Sequence, residues 1–327
     1  MTTIHHPEHP ADRVAMAPIR STLGSAKGRI DGPGARRAFD EIMEGVPAAS
    51  GVNYGAATVG GVSGWWCRPE EALKGAVILY FHGGGYVVGT SQAYRHFVGQ
   101  VAARAKVAAF VPDYRLAPEY PFPAAVEDAQ AIYDGLVAEG FTNIALAGDS
   151  AGGGLALTLL SWAVAKARAG SGPIPKGAAA ISAWTDLALA GESMVTRAKA
   201  DPLSTPAQLA AMARLYLAGR DPHDPLASPL YGDLAGLPPV SMHVGEDDIL
   251  LDDSVRYGER FERAGGMIQV HTWQGMIHVF PSNVALLKAA EEALDDIGDF
   301  LNRHCSEILG STRALLLPVS RSDEDIR

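Results

Sequence analysis

Short apolar runs alternate with longer amphipathic segments along most of the chain. The runs at 76–82 (AVILYFH) and 144–148 (IALAG) are apolar at nearly every position, which is typical of strands buried on both faces. The segments at 91–105 and 124–140 instead have apolar residues at helical spacing, and the second ends at Gly140. This alternation predicts a mostly parallel β-sheet covered by helices.

Eight strands and five helices follow from this pattern. The short β-rich runs predict strands at 52–59, 61–68, 76–82, 107–114, 144–148, 178–184, 240–245 and 267–273. The segments of helical period predict helices at 91–105, 124–140, 151–170, 254–265 and 283–304. We therefore expect a sheet of eight strands.

Two segments stand outside the alternation, namely 1–49 and 185–239. The second contains TPAQLAAMARLYLAG, which predicts a helix with Thr205 as its N-cap and Gly219 as its stop. Because an insertion of this length between strands is usually functional, most often as a lid, we expect it to form a cap. The predicted organisation is an N-terminal cap segment at 1–49 and a core in two parts, at 50–184 and 240–308. The cap insertion at 185–239 separates the two parts of the core. The tail at 309–327 is a candidate for disorder.

Composition places the chain among ordinary globular proteins. Of 327 residues, 47% are hydrophobic and 20% charged, which suits one large α/β domain with additions. The net charge of −10 and the lack of a dense Lys/Arg run argue against nucleic acid as a partner. No apolar run has the length of a membrane span and the N-terminus lacks a signal-peptide core, so we expect a cytoplasmic protein.

Neither the cysteines nor the N-terminal histidines indicate a bound metal. Cys67 and Cys305 do not form a disulfide framework, and their spacing matches no zinc site. The segment HHPEHP (5–10) could bind a metal, but we interpret it as a mobile surface segment.

The sequence GDSAG (148–152) directly follows the apolar run NIALA and begins at the last residue of the predicted strand at 144–148. Gly-x-Ser-x-Gly at this position predicts a sharp strand-to-helix turn that exposes Ser150 as a nucleophile, with flanking glycines that leave room for close approach. The alternative is a glycine-rich turn whose serine caps the next helix. A serine hydroxyl is a weak nucleophile, so the first interpretation requires a base, an acid and donors for an oxyanion.

The loop FHGGGY (81–86) offers such donors. It follows the strand at 76–82, and its three glycines carry no side chain that could block the backbone N–H groups. We predict the N–H groups of Gly83, Gly84 and Ala151 as the oxyanion donors, with His82 shaping the loop. A flexible glycine turn is the alternative.

The base should be a histidine after the last strand, because the triad order in this type of fold is Ser, acid, His. His271 lies inside a predicted strand and His304 ends the last helix, whereas His278 lies at a strand exit in QGMIHVF. We therefore predict His278 as the base.

The acid should follow the strand at 240–245. The stretch GEDDILLDDS offers five candidates, of which Asp252 and Asp253 are explained as acids at the start of the next helix. Spacing alone leaves Asp247 and Asp248 open.

These motifs together resemble the bacterial hormone-sensitive-lipase family of α/β-hydrolases. The resemblance rests on HGGG, GDSAG, DYRLAPEYPFPAAVEDA, SAWTDL and GEDDILLDDS, and it covers most of 50–304. The acid motif of the family, Gly-x-x-Asp-x-Leu-x-Asp, falls on Gly245, Asp248, Leu250 and Asp252, which implies Asp248 as the acid. The chain departs from the family pattern twice: Ile249 replaces the usual proline after the acid, and Val279 replaces the glycine after the base.

The resemblance implies an α/β-hydrolase fold with a mostly parallel eight-stranded sheet and a helical cap. It implies a serine carboxylic-ester hydrolase for short- to medium-chain esters, without metal or cofactor, and often a homodimer paired through edge strands. A lactone hydrolase with the same triad is the alternative. The plant gibberellin receptor resembles this family without a working triad, so a non-catalytic binding protein is a further alternative, against which His278 argues.

The cap is expected to determine which substrate fits. Met212, Leu215 and Tyr216 share one face of the predicted cap helix by their spacing of three and four residues. The alternative is that this face packs against the N-terminal segment and never contacts substrate. The candidate pocket residues are Tyr86, Trp184, Leu203, Met212, Leu215, Tyr216 and Val279.

Overall fold

The structure, a computed structural model, describes residues 2–306; the tail predicted at 309–327 lies outside the described residues. The strands are β1 (Thr2–His6), β2 (Val52–Val59), β3 (Val62–Pro69), β4 (Ala76–Phe81), β5 (Ala108–Pro112), β6 (Asn143–Asp149), β7 (Ala178–Ile181), β8 (Val240–Gly245) and β9 (Ile268–Trp273). The helices are α1 (Pro10–Ser25), α2 (Arg36–Glu44), α3 (Ser91–Ala105), α4 (Ala124–Ala138), α5 (Ser150–Arg168), α6 (Ser193–Thr196), α7 (Pro206–Leu217), α8 (Leu251–Arg263) and α9 (Lys288–Ser306).

The strands form one sheet in the order β1-β9-β8-β7-β6-β4-β5-β3-β2. β3 pairs antiparallel with both β2 and β5, and the other neighbours are parallel. The predicted mostly parallel sheet is therefore confirmed. The predicted number of eight strands is wrong, because β1 adds a ninth.

β1 lies at the edge of the sheet beside β9, with Thr2 opposite Gln269 and His6 opposite Trp273. Its five residues, TTIHH, have no apolar alternation, so the strand depends on a partner more than 260 residues away and not on a local pattern. The first residues of the predicted cap segment 1–49 thus belong to the sheet. His5 and His6 are strand residues, which differs from the mobile surface segment expected there.

The hydrophobic core lies on both faces of the sheet because side chains alternate along each strand. On β4, Val77, Leu79 and Phe81 belong to the cluster beneath α4, α5 and α8. Ile78 and Tyr80 belong to the cluster beneath α3 and α9. All five side chains are fully buried, which explains the continuous apolar run.

The N-terminal segment is fastened to the core at the start of α9. The carboxylate of Asp12, on α1, accepts hydrogen bonds from the N–H groups of Lys288 and Ala289, both at 2.9 Å. These N–H groups have no partner within their own helix, so Asp12 acts as its N-terminal cap from a distant part of the chain. α9 begins at Lys288 instead of the predicted 283, after a short 3₁₀ turn at Phe280–Asn283.

Two smaller observations complete the fold. Cys67 and Cys305 are both free and buried. Among residues 2–306, every helix is too short or too polar to cross a membrane.

Candidate active site

Ser150 lies at the turn between β6 and α5 in a strained backbone conformation. Its φ angle is +51°, which non-glycine residues rarely adopt. The two motif glycines have no space for a side chain, because a Cβ on Gly148 would come within 2.4 Å of the Gly152 carbonyl, and a Cβ on Gly152 within 2.1 Å of the Phe81 carbonyl. The glycines of GDSAG therefore allow the tight turn that presents the serine hydroxyl.

Three side chains from three strand ends meet at this turn. Nε2 of His278, after β9, lies 3.0 Å from Oγ of Ser150. Nδ1 of the same ring lies 3.0 and 3.1 Å from the two carboxylate oxygens of Asp248, after β8. Asp248 is fully buried, so its charge acts on the imidazole through little solvent.

The other acidic residues of GEDDILLDDS have different partners. Asp247 forms a hydrogen-bonded ion pair with Arg20 of α1. Asp252 accepts a hydrogen bond from the N–H of Ser193, and Asp253 accepts from Thr185 and Asp186. In this stretch, contact with the imidazole is made by Asp248.

The pKa of His278 is raised from 6.5 to about 9. Burial alone would lower it, but the charge and hydrogen bonding of Asp248 outweigh burial, and the charges of Asp201 and Asp149 add to the effect. This surrounding negative charge stabilises the imidazolium, the protonated form of the ring.

Asp201, in the cap insertion, was missed by the sequence analysis. Its carboxylate accepts hydrogen bonds from the N–H groups of Leu203 at 2.7 Å, Ser204 at 2.8 Å and Ile249 at 3.0 Å. Burial and the charge of Asp248 both raise the pKa of Asp201. The local turn could have been found from the Asp-Pro pair, because Asp side chains often bond the N–H two residues on, but the contact with Ile249 has no local signal.

The glycine loop after β4 contains two of the predicted oxyanion donors, Gly83 and Gly84, which have different surroundings. The N–H of Gly83 donates to a carboxylate oxygen of Asp149 at 3.2 Å. Gly84 and Gly85 line the pocket above Ser150, and among the described residues their N–H groups have no acceptor. Ala151 is the second residue of α5, where N–H groups lack intrahelical partners.

Asp149, which accepts the hydrogen bond from Gly83, is a buried carboxylate with further partners. It also accepts hydrogen bonds from the hydroxyl groups of Tyr80 at 2.9 Å and Tyr94 at 3.1 Å, and burial raises its pKa to about 6. His82 contacts the carbonyl of Gly83 through Nδ1 at 2.7 Å and stacks on Tyr114. Asp149 and His82 thus both contact Gly83 of this loop.

An apolar pocket of about 110 Å³ opens above Ser150. Of the seven candidate pocket residues, four line it: Trp184, Leu203, Met212 and Val279. Tyr86 and Tyr216 do not, because they stack on each other at 3.8 Å and are both buried in the core. Leu215 packs against the core as well. Of the predicted Met212–Leu215–Tyr216 face, only Met212 lines the pocket, and Gln208 and Leu209 of α7 line it as well.

One wall of the pocket comes from the N-terminal segment. The sequence analysis predicted this segment as part of the cap but named none of its residues as pocket residues. It consists of Leu23, Ile30, Phe39, Ile42 and Met43. The amide of Gln208 donates to the Ile30 carbonyl at 2.8 Å, and the N–H of Gly28 donates to the Leu203 carbonyl at 3.1 Å. The N-terminal segment and the insertion thus contact each other over the pocket.

Histidines also meet at the sheet edge formed by β1 and β9. Nε2 of His6 lies 2.9 Å from Nδ1 of His271, and a carboxylate oxygen of Asp296 lies 3.6 Å from the latter atom. The two rings are almost coplanar, at 15°, and His6 also stacks on Trp273. Coplanar rings that meet nitrogen to nitrogen have the geometry of an N–H···N hydrogen bond, in which one ring donates to the other.

Comparison with known proteins agrees with this architecture. Residues 78–282 match the family with the alpha/beta hydrolase fold. An acetyl-hydrolase from Streptomyces hygroscopicus is 40% identical over 279 residues, which are 83% of this chain and 90% of that protein.

Solved structures of bacterial esterases superpose on this chain over most of its length. An esterase from the bacterial hormone-sensitive lipase family superposes with a TM-score of 0.83 and 36% identity, over 91% of this chain and 99% of that one. The esterase EstE5, in a crystal soaked with p-nitrophenyl butyrate, superposes with a TM-score of 0.81 and 36% identity, over 92% of this chain and 100% of that one. The chain belongs to the α/β-hydrolase fold family, within the group of bacterial hormone-sensitive-lipase esterases.

Proposed function

We propose that this carboxylesterase hydrolyses its substrates with Ser150 as nucleophile, His278 as general base and Asp248 as the acid that orients the base. The observation that carries the proposal is the continuous contact from Ser150 Oγ to His278 Nε2, at 3.0 Å, and from His278 Nδ1 to Asp248, at 3.0 Å. The chemistry of the serine triad requires this order of contacts.

The reaction follows from the geometry. His278 takes the hydroxyl proton as Ser150 attacks the ester carbonyl, and the tetrahedral oxyanion forms beside the glycine loop. We assign the N–H groups of Gly84, Gly85 and Ala151 as its donors, because the N–H of Gly83 is bonded to Asp149. The imidazolium then protonates the departing alcohol, and a water activated by His278 hydrolyses the acyl-enzyme.

The pocket supports short acyl groups. Its volume of about 110 Å³ is smaller than the engineered cavity of about 150 Å³ in which benzene binds. The names of the relatives are consistent with this size, since one is an acetyl-hydrolase and another was soaked with a butyrate ester. The contacts among Ser150, His278 and Asp248 favour an enzyme over a non-catalytic ligand-binding protein, because a binding protein does not need them.

The test is a panel of p-nitrophenyl esters from acetate to octanoate, together with lactones, on purified enzyme. We expect the highest kcat/KM for the shorter esters, and no turnover of any ester by a folded Ser150→Ala variant. Faster turnover of lactones than of all esters would favour the lactone hydrolase, and ester turnover by Ser150→Ala would refute the assignment.

We also propose that the enzyme is a cytoplasmic homodimer, as the resemblance and the composition suggest. β1 and β2 are the two edges of the sheet, and edge strands carry unpaired backbone groups that can pair with a second copy. Light scattering on the eluted protein and cell fractionation test the two statements.

A further inference from the structure

Ile249, the residue directly after the proposed acid, is held by two side chains of the cap insertion. Its N–H donates to Oδ2 of Asp201 at 3.0 Å, and its carbonyl accepts from Oγ of Ser193 at 2.7 Å. Ile249 occupies the position at which the resemblance leads us to expect proline, which has no N–H. The chain therefore has an additional buried donor beside its catalytic acid, and Asp201 satisfies it.

Asp201 is itself firmly placed. The carboxylate is fully buried and accepts from the N–H groups of Leu203 and Ser204 as well. Nζ of Lys27, in the N-terminal segment, donates to the carbonyl groups of Asp201 and Ala198. The turn is thus fixed by the N-terminal segment on one side and the acid loop on the other.

Ser193 holds the same loop at a second point. Besides donating to the Ile249 carbonyl, its hydroxyl accepts from the N–H of Asp252 at 3.1 Å. The N–H of Ser193 in turn donates to the Asp252 carboxylate at 2.8 Å. Both residues that clamp the loop belong to the insertion at 185–239, and neither contacts the reacting atoms.

The charge of Asp201 also acts on the base. The charged groups that face His278 are Asp248, Asp201 and Asp149, and all three favour its imidazolium. Burial and the charge of Asp248 raise the pKa of Asp201, and the charge of His278 and the hydrogen bonds from backbone N–H groups act in the opposite direction, in favour of the ionised carboxylate.

We propose that Asp201 and Ser193 are positioning residues, through which the cap insertion completes the catalytic triad by fixing the Asp248 loop. The core supplies all three triad residues, but the backbone that carries the acid is held by the cap. The inference rests on the proposed function, since it takes Asp248 as the acid. Misplacement of a catalytic group by about 1 Å can cost about 10² in rate, which sets the size of the expected effect.

The test compares Asp201→Asn and Ser193→Ala with Asp233→Asn as a matched control. Asp233 lies in the same insertion and bonds the N–H of Ala235 in the same type of turn, but at the surface. An asparagine at 201 can still accept from Leu203 and Ser204, whereas its amide NH₂ cannot accept from Ile249 and carries no charge. We expect kcat for p-nitrophenyl butyrate to fall about 10- to 100-fold with KM little changed.

The pH profile separates positioning from a merely structural role. Loss of the Asp201 charge should shift the acid limb of kcat/KM toward lower pH, whereas Ser193→Ala should lower kcat without that shift. A kcat for Asp201→Asn equal to that of Asp233→Asn, or an acid limb that does not move, would overturn the proposal. Asp248→Asn is measured in parallel: if it also retains activity, the assignment of the acid has failed, and not only the inference about the cap.

Discussion

The two neighbouring carboxylates Asp247 and Asp248 have different surroundings, which is why we assign only Asp248 as the acid. Asp248 is fully buried against His278, whereas Asp247 is partly exposed and paired with Arg20. A partly exposed ion pair is screened by solvent and contributes on the order of 1 kcal/mol, whereas in the proposed triad the buried Asp248 carboxylate sets the tautomer of His278.

Asp248→Asn should therefore lower kcat by about 10⁴, the size typical of this substitution in a serine triad. Asp247→Asn, its matched control, should change kcat by about tenfold or less, because Asp247 contacts no triad member. Steady-state hydrolysis of p-nitrophenyl butyrate measures both. Should Asp247→Asn be the more damaging of the two, the assignment of the acid would be off by one residue.

The raised pKa of His278 predicts an enzyme that works best at alkaline pH. Only the neutral imidazole accepts the serine proton, and a folded-state pKa of about 9 keeps the ring protonated at neutral pH. Hence kcat/KM should rise through the neutral range with a midpoint well above 6.5, the value of an unperturbed histidine. The profile is measured with p-nitrophenol detected at its isosbestic wavelength, and a plateau already reached near about pH 7 would contradict the account.

At the scale of elements, α7 determines which side chains reach the pocket. Met212 lies on the pocket side, where a Cβ on Gly85 would come within 2.5 Å of the Met212 methyl group. Leu215, three residues later, packs against the core. Substitution of Met212 therefore tests the pocket, and substitution of Leu215 on the same helix is the matched control.

Met212→Ala should enlarge the pocket and shift the preference toward longer acyl chains. A methylene is worth about 1–3 kcal/mol in such a pocket, so the ratio of kcat/KM for octanoate over butyrate should rise about tenfold or more. Leu215→Ala should leave this ratio unchanged and lower the free energy of unfolding instead. If the ratio of kcat/KM for octanoate over butyrate were equal in wild type and Met212→Ala, Met212 would not select chain length, and the selecting residues would lie in the wall from the N-terminal segment.

The elements that the sequence predicts well are those with a local signal. α3 runs over 91–105 as predicted, and α7 begins after Thr205, whose hydroxyl caps it by accepting from the N–H of Gln208. β1 was missed because TTIHH becomes a strand only through its pairing with β9. Some of the predicted pocket residues do not line the pocket. Helical spacing identifies which residues share a face of a helix, but it does not identify what that face contacts. Tyr216, for example, stacks on Tyr86.

At the scale of the whole molecule, three separate parts of the chain build one site. The core supplies Ser150, His278 and Asp248 at strand ends, the N-terminal segment supplies one pocket wall, and the insertion supplies further lining residues and the hydrogen bond between Asp201 and the residue after Asp248. Motifs indicated Ser150, His278 and Asp248, because the proposed chemistry requires fixed residue types, and these three side chains meet in the structure. Asp201 and the Asp149–Gly83 bond were not predicted, because each depends on a contact between segments far apart in sequence.

The most direct measurement of the central claim is covalent labelling of the enzyme by diethyl p-nitrophenyl phosphate. Attack by the serine oxygen forms an O–P bond and expels p-nitrophenolate, which leaves a diethylphosphoryl group on the enzyme. We expect one equivalent of p-nitrophenolate per chain, loss of esterase activity in proportion, and by mass spectrometry a label on the peptide that contains Ser150. A folded Ser150→Ala variant should release none. A label on any other residue, or full esterase activity in the labelled enzyme, would contradict Ser150 as the nucleophile.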